Sequence, residues 1–137
     1  EVERREAMLA LARSGWGRDN PAYRQLFTGL YVPEASEQQT RWFNDMQRKS
    51  ASPENAVLLQ KVFSTIDVRE LLPQVQVPTL VLHSRNDQAL PLAAGKEVAD
   101  GIPGARFVAL DSQNHILLEE EPAWGAFVNE LRGFLAE

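Results

Sequence analysis

With 137 residues, 44% of them hydrophobic, and a formal net charge of −5, the chain has the size and balance of one soluble globular domain able to bury its own core. The acidic balance argues against a broad phosphate-binding surface, so no direct nucleic acid contact is expected, and no apolar run approaches the roughly 20 residues of a membrane span. The absence of cysteine excludes a thiolate nucleophile, cysteine-ligated zinc and disulfides, and is compatible with a reducing, cytoplasmic setting.

Residues 1 to about 72 read as a series of helices. The opening Glu1-Val2-Glu3-Arg4-Arg5-Glu6 is too charged for a secretory leader, and without an initiator methionine the chain is expected to be an excised or processed segment. Val2, Met8, Leu9, Leu11 and Ala12 form an apolar stripe of helical spacing that stops at Ser14-Gly15. Asp19-Asn20-Pro21 is a start signal, after which Tyr23, Leu26, Phe27 and Leu30 share a face. Ser36 opens a third helix whose first turn Glu37 or Gln39 stabilises, with Trp42, Phe43 and Met46 on its apolar side. Ser52-Pro53-Glu54 repeats the start logic ahead of Val57, Leu58, Val62, Phe63 and Ile66, and a short turn over residues 67–72 precedes Pro73. The basic pairs Arg4-Arg5 and Arg48-Lys49 read as solvated helix faces.

Past Pro78 the period changes. Thr79-Leu80-Val81-Leu82-His83 is a short apolar run of the kind found in fully buried parallel strands. A helix from Pro91 to Asp100-Gly101 follows, then a second strand over Arg106–Leu110 and a last amphipathic helix after Glu121-Pro122. Strand, helix, strand, helix with short loops predicts an α/β unit with a parallel sheet. Two parallel strands make a poor sheet, and the unpaired edge of the first predicts either a homo-oligomer through that edge or association with a missing N-terminal half.

Open α/β sheets carry their sites beyond the carboxyl ends of the strands. The loops there are Ser84-Arg85-Asn86-Asp87-Gln88 and Asp111-Ser112-Gln113-Asn114-His115. Neighbouring parallel strands bring them together, where Asp87 can fix the tautomer of His115 and leave the other ring nitrogen to act as a base. Asp111 is the competing acid and otherwise shapes the turn after the strand. His83 ends the first strand, where it can point toward the site, but reads first as a satisfied structural histidine; a two-histidine metal site with Asp87 is disfavoured because the spacing matches no short metal motif. Trp16, Tyr23, Trp42 and Phe43 read as core ahead of pocket lining, and Glu119-Glu120-Glu121 as a solvated start to the last helix.

The run Val77-Pro78-Thr79-Leu80-Val81-Leu82-His83-Ser84-Arg85-Asn86-Asp87, with Pro91 after it, resembles the penultimate strand and acid loop of the α/β-hydrolase fold. Ile102-Pro103-Gly104-Ala105-Arg106-Phe107 through Asn114-His115 resembles its last strand and histidine loop, and the helix from Pro122 its final helix. The resemblance implies a fold class of α/β: the C-terminal fragment of an α/β-hydrolase parallel sheet over residues 73–137, preceded by a helical cap-like region over 1–72. It also implies that Asp87 is the acid and His115 the base of a catalytic triad acting on a small-molecule substrate, with no cofactor. In that family the nucleophile precedes the acid, within a Gly-x-Ser-x-Gly turn between a strand and a helix. Ser14-Gly15 is the one near match, and no strand comes before it. The nucleophile is therefore expected outside this sequence, leaving the chain inactive by itself. Leu110 through Leu118 with Glu121-Pro122-Ala123-Trp124 also resembles hydrolase-type domains fused to bacterial transcription regulators or nucleotide cyclases, which implies a ligand-sensing or dimerisation module as the alternative.

Overall fold

A computed structural model describes residues 2–136, apart from the side chains of Val2 and Arg4. The side chains of the stripe residue Val2 and the basic residue Arg4 are therefore outside what is described. The chain divides into two compact units: the residues up to Gly29 with Ala35–Ile66, and Leu30–Glu34 with the residues from Asp67 onward.

The first unit is helical, with α1 (Val2–Gly15), most of α2 (Ala22–Tyr31), α3 (Glu37–Ser50) and α4 (Pro53–Phe63). The start signals work through their side chains. Asn20 accepts from the Ala22 amide, and Ser52 accepts from the Asn55 amide with Pro53 in the first turn. Ser36 and Gln39 exchange both bonds of a capping box, satisfying two amides that the helix leaves unpaired. Leu9, Ala12, Trp16, Phe27, Phe43, Ala56 and Val57 are buried, and Trp16 meets Phe27 edge-on at 5.2 Å.

The buried face of α3 is Phe43, Asn44 and Gln47, whereas Trp42 stands 64% exposed and Met46 is also exposed. Adjacent helical positions point about 100° apart, so burying Phe43 turns its neighbour outward. A polar chain joins α2 to α3, with Gln47 donating to Thr28 Oγ1 at 2.7 Å and Thr28 donating to Asn44 Oδ1 at 2.8 Å. On α4 only Ala56 and Val57 are buried; Leu58, Val62 and Phe63 are exposed.

In the second unit a 3-10 turn (Arg69–Gln74) leads to β1 (Leu80–Ser84), α5 (Leu92–Gly101), β2 (Arg106–Leu110) and α6 (Ala123–Leu135). β1 and β2 pair in parallel, Leu80 opposite Arg106 and Ser84 opposite Leu110. Because side chains alternate along a strand, Leu80, Leu82 and Ser84 share a face with Arg106, Val108 and Leu110. Arg106 reaches the Phe134 ring and Glu130 of α6, which places α6 on that face. His83 belongs to the opposite face and abuts Gly95 of α5. The sheet is thus covered by one helix on each side. Between α5 and β2, Gly104 takes a φ of 73°, closing the turn in which the Ala105 amide donates to the Ile102 carbonyl.

β1, where full burial was the expectation, is only half-buried except at its carboxyl end, Ser84, and β2 runs from exposed Arg106 through half-buried positions to buried Leu110. A sheet of two strands leaves each with one unpaired edge, and no further strand occurs among the described residues.

Candidate active site

Ser84 and Leu110 end their strands as register partners, so the loops beyond them begin side by side. Three bonds then bind loop to loop. The Arg85 amide donates to the Leu110 carbonyl at 2.8 Å, the Asn86 amide to the Ser112 carbonyl at 3.0 Å, and the Ser84 hydroxyl to the Asn114 carbonyl at 2.6 Å.

Within this frame the two sequence-predicted residues meet. Asp87 Oδ2 lies 2.6 Å from His115 Nδ1, and the Asp87 side chain is only 3% exposed. Its other oxygen accepts from the amides of Ala89, at 2.7 Å, and Leu90, at 3.0 Å. Burial pushes the Asp87 carboxyl up, but the His115 hydrogen bond and the two amides outweigh it and hold the group below its ordinary value. Asp87 is thus an acceptor at Oδ2, and the proton of that bond belongs to His115 Nδ1. The competing acid, Asp111, is exposed in the turn after β2.

His115 is held as tightly through its backbone. The amides of His115 and Ile116 both donate to the Tyr31 carbonyl, at 2.9 and 3.1 Å, and the Tyr31 ring stands edge-on to the imidazole at 5.3 Å. The neighbouring Asn114 is wholly buried; its Oδ1 accepts from the Glu34 amide at 3.0 Å. With Nδ1 committed to Asp87, Nε2 is the nitrogen left for a reacting group. His115 itself is part-exposed and lines an open cleft of about 330 Å³ with Leu82, Leu110, Leu117, Trp124 and Phe127.

One residue of this frame lies in the run read as solvated. Glu121 Oε2 accepts from the Ser112 hydroxyl at 2.5 Å and from Asn114 Nδ2 at 3.2 Å, while Oε1 accepts from the Leu118 amide at 2.7 Å. Its neighbours Glu119 and Glu120 are exposed, as expected of a solvated run. Glu121 thus spans the histidine loop from below its turn. Ser14, the nearest match to a nucleophile, is exposed within α1, which no strand precedes among the described residues. His83 lies near the pair, its Nε2 3.5 Å from Asp87 Oδ2. Among the described residues no group of three or more acidic or histidine side chains has the arrangement of a metal site. No helix among them is long and apolar enough to cross a membrane.

Comparison with known proteins identifies the family and the fold. A family model described as alpha/beta hydrolase fold matches residues 5–122. The pimeloyl-[acyl-carrier protein] methyl ester esterase of Nitrosomonas europaea is 30% identical over 115 residues, covering 80% of this chain and 45% of that protein. Its counterpart from Vibrio atlanticus is 28% identical over 89 residues, covering 65% and 34%. Among solved structures, an esterase from Exiguobacterium antarcticum matches with a TM-score of 0.77 at 21% identity, a likeness of fold, over 97% of this chain and 48% of that one. The chain spans less than half the length of each of these relatives.

Proposed function

The chain belongs to the alpha/beta hydrolase fold family, and from that premise we propose that it supplies the acid and the histidine of a catalytic triad for hydrolysing a small ester or amide. The observation that carries the proposal is the 2.6 Å bond between buried Asp87 and His115. In this reading a serine on a segment outside the sequence attacks the substrate carbonyl, and His115 Nε2 takes the serine proton. Asp87 holds the ring in the Nδ1–H tautomer and stabilises the imidazolium that forms. The same proton then passes to the leaving group, and water regenerates the serine through the same nitrogen. The 137 residues alone are inactive, and residues 1–72 form the cap-like region. The esterases among the relatives support the ester preference, and the cysteine-free composition is compatible with work in the cytoplasm.

The test is hydrolysis of p-nitrophenyl butyrate by the whole protein from which this sequence comes. Asp87→Asn is expected to lower kcat by about 10⁴-fold with folding retained, and His115→Ala to do comparable damage. Turnover by Asp87→Asn within tenfold of the original would end the triad assignment.

A second reading, a ligand-sensing or dimerisation module of a bacterial transcription regulator or cyclase, is favoured by the 110–124 resemblance. It predicts ligand binding without turnover in the whole protein. Either reading includes self-association of this chain through the free edge of β1. Light scattering at micromolar concentration is expected to give at least a dimer, and a folded monomer would refute it.

A further inference from the structure

We infer that His83 is a positioning residue that clamps the acid loop around Asp87, an inference that rests on the triad reading of Asp87 and His115. The argument starts from α5. A Cβ on Gly95 would lie 2.5 Å from His83 Nδ1 and 2.8 Å from its Cγ, so the helix backbone presses directly on one side of the ring. Glycine is what permits that approach. The opposite side of the ring, at Nε2, faces the acid loop. Nε2 is 3.2 Å from the Leu90 carbonyl and 3.5 Å from Asp87 Oδ2, and the His83 side chain is 11% exposed.

A backbone carbonyl only accepts, so the bond to Leu90 requires the hydrogen on Nε2. That N–H then lies between two oxygens, the Leu90 carbonyl and the carboxylate oxygen that also receives His115. Leu90 closes the circuit, because its own amide donates to Asp87 Oδ1. His83 therefore holds Leu90 by its carbonyl, Leu90 holds Asp87 by its amide, and Asp87 holds His115. The role is distinct from that of the triad: His83 fixes the rotamer of the acid and touches no reacting atom.

Nuclear magnetic resonance on this chain tests it without any need for turnover. Long-range 1H–15N correlation is expected to show His83 as the Nε2–H tautomer; a dominant Nδ1–H tautomer overturns the inference. The His115 Nδ1 proton, in its short bond to Asp87, is expected downfield in the unsubstituted chain. It should be lost to exchange in His83→Phe and retained in His83→Gln, whose amide reaches the place of Nε2. Where the Phe variant does not fold, His83→Asn replaces it, since its shorter amide reaches only the place of Nδ1. A downfield proton that persists unchanged in Phe or Asn variants refutes the clamp. In the whole protein, the clamp predicts a kcat loss of roughly 10- to 100-fold for His83→Phe with KM unchanged, restored by Gln. The triad reading fails separately, through an active Asp87→Asn, whatever His83 does.

Discussion

Both compact units bury polar groups, and they do so for opposite ends. In the helical unit Arg24 is 2% exposed, and its guanidinium donates only to backbone carbonyls, those of Gly15, Trp16, Arg18, Asp19 and Asn44. Burial lowers its pKa, but guanidinium stays charged at any ordinary pH. Four of the five carbonyls lie at or just beyond the carboxyl end of α1, the negative pole of that helix. No proton can move in such an arrangement, and it serves as a structural rivet. In the α/β unit the buried charge is Asp87, bonded to an imidazole that has one nitrogen left over. Burial of a charge therefore does not by itself mark a site.

Three substitutions or conditions separate these roles, taken from the largest effect. Arg24→Leu removes the guanidinium donor from the buried Trp16 carbonyl and from those of Arg18 and Asp19 and is expected to cost about 3 kcal/mol, read as a shift in the urea midpoint. The Asp87–His115 proton resonance should survive in the fraction that stays folded; its loss there would show that the rivet also supports the site. Glu121→Gln puts an amide NH₂ against donors from Ser112 or Leu118 and is expected to cost about 1–3 kcal/mol. It should also broaden the His115 resonances, which Arg24→Leu should not.

The third condition is acid. The Asp87 carboxyl is held below the 3.8 of the unfolded chain. Its contribution to stability is therefore complete above that value and is lost as pH falls through the folded pKa. Asp45, hydrogen-bonded by Lys49, and Asp67, held at about 2 by Arg69, are depressed too. The difference between the original chain and Asp87→Asn thus isolates Asp87. That difference should shrink as pH falls below 4 in urea titrations; a constant difference down to the folded limit would contradict the depressed carboxyl.

The part of the architecture that was legible in advance is the part written in periodicity and spacing. β2 occupies Arg106–Leu110 as read, and the caps at Ser36 and Ser52 form through the side chains that announced them. Asp87 and His115, 28 residues apart, meet because one strand-helix-strand unit separates them. What escaped the reading depends on partners that leave no mark in a sequence. Arg24 looks like any surface arginine, since its acceptors are backbone carbonyls. Glu121 looks like Glu119 and Glu120, and only the fold of the preceding loop brings Ser112, Asn114 and the Leu118 amide onto it. Trp42 and Phe43 are equally apolar neighbours, and only tertiary packing decides which faces inward. The half-covered strands were hidden too, because an apolar run records the environment its residues favour, while lateral pairing depends on which strands lie alongside.

The Tyr31 carbonyl, shared by the amides of His115 and Ile116, has a consequence for the order of assembly. It joins positions 115 − 31 = 84 apart, three times the 28 that separate Asp87 from His115. Closing the longer loop costs about 1 kcal/mol more in chain entropy. The acid and histidine can therefore find each other early in refolding, within their own strand-helix-strand unit. On that ground the backbone latch at Tyr31 is expected to close later, fixing a loop whose acid and histidine have already met, and pulse-labelled hydrogen exchange at the His115 amide checks that order.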